Sequence, residues 1–168
     1  MNRCDRIMSA DAAGIVATLY AGSKEMLAAT AVSHGLDGKM AYGAKSVGAR
    51  QPTLEENFGG FLFTSMRDSM DTGCPMDASC SEVARQGDAV SGNFTSAFRQ
   101  QVAPLEKSLD KSIAAPLRRK IAVVAVASEI RAVAVSRAMA KADAPLADEV
   151  LEAVFQAFET VHADAKTR

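Results

Sequence analysis

Two apolar segments in the last third of this chain, residues 117–139 and 146–161, restrict it to helices that must cover one another. In the first, Ile121, Val123, Val124, Val126, Ile130, Val133 and Val135 cannot be placed on a single stripe at 3.6 residues per turn. Such a helix needs neighbours on more than one side, and its many alanines allow them to come close. Pro116 suits the first turn of this helix, which the apolar pattern carries to about Met139. Asp143-Ala144-Pro145 interrupts the pattern. A final amphipathic helix follows, with Leu146, Val150, Leu151, Val154, Phe155, Phe158 and Val161 on a wide apolar face. Together the two helices offer more apolar surface than one chain hides readily, so a homodimer burying at least ~1,200 Å² in total is expected, the alternative being that both helices fill the core of one monomer.

Upstream, helical punctuation continues. Thr53 and Glu56 have the spacing of a capping box after Pro52. The helix they open should bury Leu54, Phe58, Phe61, Leu62 and Met66 and end near Asp71-Thr72-Gly73. Pro75 stiffens the next loop, Asp77 is placed to cap a short helix through Ala84, and Asp88 opens a longer one through Phe94, Phe98, Val102 and Leu105. Pro104 predicts a kink or break in it. Residues 1–22 read as two short helical stretches around a small-residue turn at Ala10 to Gly14, the outline of a helix-turn-helix. Ser23 then caps a helix whose later half is weakened by Gly35, Gly38, Gly43 and Gly48. The fold class expected is all-α, and 168 residues suffice for a real core.

Composition narrows the function classes. A net charge of −1 gives no global attraction to nucleic acid or anionic membrane. The longest apolar run, residues 121–127, is far below the ~20 residues of a membrane span. Asp5 and Asp11 interrupt any leader-like segment, and Cys4, Cys74 and Cys80 make an odd set, so a reducing cytoplasm is expected. Cys74 and Cys80 are six apart, which matches neither a metal knuckle nor a thioredoxin-type pair. His34 and His162 lack partners at zinc-ligand spacing. Without a phosphate-cradling loop or a nucleophile–base set, neither catalysis nor a metal or cofactor is expected. Arg118-Arg119-Lys120 reads as a solvated helix start.

The run Thr18-Leu19-Tyr20-Ala21-Gly22-Ser23-Lys24-Glu25-Met26-Leu27 resembles the junction after the helix-turn-helix in the tetracycline-repressor (TetR) family of bacterial transcription regulators. So do the Gly73-Cys74-Pro75 loop, the stretch Cys80-Ser81-Glu82-Val83-Ala84-Arg85, the Ala134-Val135-Ser136-Arg137-Ala138-Met139 helix end and the Asp143-to-Leu151 segment. The likeness spans roughly residues 14–160. It departs from the family in lacking the aromatic residue before Ser23 and a counterpart of the family's first helix.

The resemblance implies a truncated helix-turn-helix in residues 1–22 and a helical effector-binding and dimerisation domain in residues 23–168. Thr18, Tyr20 and Lys24 match family positions that meet operator DNA. Phe58, Phe61, Leu62, Met66, Phe94 and Phe98 are the candidate lining of a pocket for a small apolar effector, with Glu129 or Arg131 as its polar element. Ile121, Val124, Ile130, Val135, Leu151, Val154, Phe155 and Phe158 are the candidate homodimer interface, paired as a four-helix bundle. The alternative is a helical dimerisation or ligand-binding module that has lost DNA binding. Balanced charge in residues 1–27 (Arg3, Arg6 and Lys24 against Asp5, Asp11 and Glu25) keeps that alternative open.

Overall fold

The computed structural model describes residues 53–60, 62–69 and 75–167, and among them every regular element is a helix. These are α1 (Leu54–Gly59), α2 (Thr64–Asp68), α3 (Pro75–Val83), α4 (Asp88–Ser108), α5 (Ala115–Met139) and α6 (Ala144–Lys166). The all-α expectation holds. The chain divides into two compact units, one containing Asp71–Phe98 and the other Arg50–Met70 with Arg99–Arg168. The boundary expected between residues 22 and 23 lies outside the described residues.

In the first unit, α3 and the start of α4 share a small core of Val83 and Val90, with Phe94 packed against it. Asp77 sits inside the first turn of α3 and not at its cap.

The second unit is organised by the α5–α6 hairpin, whose helices pack along their length. Its start and stop signals act as local chemistry requires. Pro116 lies in the first turn of α5, where its missing N–H has no helical acceptor in any case. The Asp143 carboxylate accepts from Leu146 N–H at 3.0 Å and opens α6. Between the helices, the fully buried Ser136 hydroxyl donates to the Ala147 carbonyl at 2.7 Å, which fixes their register. The connection from α4 is closed by Arg118, whose guanidinium donates to the Ile113 carbonyl, while Arg119 pairs with Glu106 at 3.1 Å. The basic run is therefore tied into the structure by two of its three members.

A second arginine pair straps α2 onto the hairpin. Arg67, buried, binds Asp68 through Nε at 2.7 Å and Asp148 of α6 through Nη1 at 2.5 Å. The hydrogen bonds it donates to Asp68 and then to Asp148 hold its guanidinium even more firmly protonated than usual. Arg137 of α5 donates to the carbonyls of Arg67 (2.8 Å) and Met66 (3.1 Å) and so serves the C-terminal carbonyls of α2.

Two expectations need correction. The single helix expected from Thr53 to about Asp71 is two short ones, because α1 stops at Gly59 and the chain turns through Gly60 before α2. At Gly59 a Cβ would stand 3.0 Å from Phe155 Cε2, and at Gly60 it would meet the Glu56 carbonyl oxygen at 2.6 Å. Gly59 thus permits the approach of α1 to Phe155, while a side chain at Gly60 would press on the carbonyl of α1's own Glu56. Pro104, expected to kink or break α4, does not break it: the helix continues to Ser108. It stands one turn from the helix end, where Val102, Leu105 and the following Leu109 are all buried, and that burial offsets the lost backbone bond.

Candidate functional site

The aromatic side chains of the second unit converge on one place. Phe58 of α1, fully buried, stacks on Phe158 of α6 with ring centroids 3.9 Å apart and lies 6.1 Å from Phe155. His162 continues the series, parallel to Phe158 within 5° at 6.2 Å. Positions 155, 158 and 162 recur at three and four residues, so they share one face of α6. The reciprocal capping box (Glu56 N–H to Thr53 Oγ1 at 3.2 Å, Thr53 N–H to Glu56 Oε2 at 2.8 Å) anchors the start of α1. Gly59 lets the end of α1 come against Phe155.

Along this seam runs an open groove of about 520 Å³, walled among the described residues by Leu54, Phe58, Phe155 and Phe158, with Glu55, Glu159 and His162 also on its lining. Burial, and next the nearby Lys166, push the His162 imidazole below its ordinary value, while Asp110 pulls weakly the other way; the ring is neutral at pH 7. Its Nε2 is shut off from solvent and has no hydrogen-bond partner among the described residues.

The expected pocket residues fall in both compact units. Phe58 is in this seam, Leu62 is buried nearby in sequence, and Met66 is half-buried. Phe61 lies outside the described residues. Phe94 and Phe98 belong to the other compact unit, where Phe94 packs on Val83 and Val90. Phe155 and Phe158, expected at a dimer interface, are instead the partners of Phe58 inside one chain. Their helical spacing was visible in the sequence, but which neighbour they would meet was not.

The two polar interruptions of α5 separate cleanly. Glu129 is 5% exposed, and its Oε1 has no hydrogen-bond partner among the described residues. Desolvation pushes its carboxyl well above the ordinary carboxylate range, with no compensating cation among the described residues. Arg131 is exposed. Of these two, Glu129 is the buried one.

The hairpin also has an uncovered face, and three consecutive residues on each helix define it. On α5, Ser136 points to α6 and Arg137 to α2, so Val135 is turned the other way. On α6, Ala147 meets Ser136 and Asp148 meets Arg67, so Leu146 is turned to that same outer side. The face continues through Leu117 and Val124 on α5 and Val150, Ala153, Ala157 and Val161 on α6. Val124 is 64% exposed, Val135 45% and Val161 50%. Of the remaining expected interface residues, Ile121, Ile130, Leu151 and Phe158 are buried within the chain, and Val154 and Phe155 are half-buried.

Thr18, Tyr20 and Lys24, the expected DNA contacts, lie outside the described residues, as do Cys4, Cys74 and His34. Cys80 is a half-buried free thiol. No group of three or more potential metal ligands occurs among the described residues. None of the described helices is long and apolar enough to cross a membrane. No known family model matches the chain, and no curated protein does either.

Proposed function

We propose that this chain is a small-molecule-sensing, homodimeric transcription regulator of the TetR type. The observation that carries the reading is the uncovered apolar face of the α5–α6 hairpin, opposite the side strapped to α2. An all-helical body with Val124, Val135, Leu146 and Val161 in water leaves an apolar face, interrupted on α5 by the exposed Arg131, that a second copy covers as a four-helix bundle. Alanines at positions 153 and 157 keep that face low enough for close helix approach. The same helices present their opposite sides to α1 and α2, where the aromatic seam and the groove supply the ingredients of an effector site.

The test has two parts. Sedimentation of the full chain at micromolar concentration is expected to give a dimer, and Val124→Glu with Val135→Glu a folded monomer, since neither side chain supports the chain's own core. Anisotropy titration against the DNA flanking its own gene is expected to show salt-dependent, sequence-specific binding. A well-folded wild-type monomer removes the reading.

A second reading, a dimeric ligand-binding module without DNA binding, is favoured by the net charge of −1. An intact dimer that fails to bind DNA at low salt selects it.

A further inference from the structure

We propose that the second copy meets the α5–α6 hairpin about a twofold axis running along the helices, so that α5 of each chain lies on α6 of the other. This rests on the homodimer reading and fixes which helix meets which. Two ion pairs hold the edges of the seam: Arg131 with the partner's Glu149, and Lys120 with the partner's Asp164.

The uncovered face carries charge of opposite sign on its two helices. On α5 the exposed Lys120 and Arg131 stand four residues before and seven after Val124, on the same side of the helix. On α6 the exposed Glu149 stands three residues after Leu146 and four before Ala153, and the exposed Asp164 three after Val161 and seven after Ala157. On this face α5 presents no acid and α6 no base. None of the four side chains is in an ion pair among the described residues. Asp164 also sits in the last turn of α6, where the helix dipole disfavours a carboxylate, so its own helix gives it no support.

The register within one chain then sets the pairing. Ser136 is bonded to Ala147, so in the antiparallel hairpin position 131 is level with about position 152, and position 120 with about position 163. Rotation about an axis parallel to the helices leaves every residue at its own height, so the same levels meet across the seam. Arg131 comes within about one helical turn of the partner's Glu149, and Lys120 within about one residue's rise of the partner's Asp164. The long stems of arginine and lysine span such offsets. A twofold axis crossing the helices instead lays α5 on the partner's α5 and α6 on the partner's α6. That arrangement sets the two cations against their own kind and the carboxylates against theirs, with nothing to offset the repulsion.

Sedimentation of the full chain over a concentration series reads this out. Arg131→Glu and Glu149→Arg, both at exposed positions, should keep the helical circular dichroism. Each should weaken the dimer about 5- to 100-fold, since two copies of a partly screened pair turn from attractive to repulsive. High salt should shrink that loss. Joining both substitutions in one chain restores the pair with its polarity reversed, and most of the lost affinity should return. With α5 on the partner's α5, Arg131→Glu relieves a repulsion and leaves the dimer unchanged or tighter. That result, or a double variant as weak as the two single changes combined, overturns this arrangement while the homodimer reading stands. A wild-type monomer removes both.

Discussion

Replacing Glu129 with leucine tests whether this buried carboxyl is as unsupported as its surroundings indicate. The side chain is 5% exposed, its Oε1 accepts no hydrogen bond among the described residues, and Ala125, Val126, Ala132 and Val133, one turn away on either side, are buried and apolar. Burying a polar group without a partner costs about 1–3 kcal/mol in protein mutational data. Leucine fills a similar volume without that penalty, so Glu129→Leu should stabilise the fold by about 1–3 kcal/mol at neutral pH. At this chain length each kcal/mol moves Tm by roughly 2–4 °C, which gives a rise of about 2–12 °C.

The pH dependence supplies the sharper test. The unfolded chain releases the Glu129 proton near the ordinary value of 4.5, whereas the folded chain holds it to higher pH. Below 4.5 both states are protonated and the shift contributes nothing. As pH rises through the window between the two values, only the unfolded state ionises, so stability falls until the folded value is passed. The leucine variant lacks this decline. Thermal unfolding followed by circular dichroism, at matched protein concentration from acid to mildly alkaline pH, should therefore show a gap between variant and wild type that widens with pH. Other titrating groups cancel in that difference. A variant less stable than wild type at neutral pH, or a gap that does not change with pH, refutes the reasoning.

Other substitutions probe the remaining joints. Ser136→Ala removes the buried hydroxyl that bridges α5 to the Ala147 carbonyl and should cost about 0.5–1.5 kcal/mol in urea unfolding. Arg137→Ala withdraws a charged donor from the Met66 and Arg67 carbonyls. It should cost about 1.5–3 kcal/mol and speed proteolytic cleavage within residues 64–69. Gly60→Ala places a methyl against the Glu56 carbonyl, a backbone atom, and should cost about 1–3 kcal/mol. Gly59→Ala should cost less, because the group it meets is the movable Phe155 ring.

The signals legible in the sequence are those whose cause is local. Thr53 and Glu56 cap one another across three residues, Pro116 needs only its own ring, and Asp143 reaches the third residue after it, so these boundaries follow from the chain before any packing exists. The apolar density of residues 117–139 and 146–161 likewise requires helices that cover each other, whatever their arrangement. What the sequence leaves open is direction. On a helix apolar around most of its circumference, nothing local distinguishes Glu129 from Arg131, and one is buried while the other is exposed. Nor does spacing decide whether Phe155 and Phe158 meet a second chain or Phe58. Those outcomes depend on the Gly59–Gly60 turn that brings α1 onto α6, and on Arg67 and Arg137 binding α2 to one side of the hairpin. Burial is a property of neighbours distant in sequence, and only the folded chain supplies them.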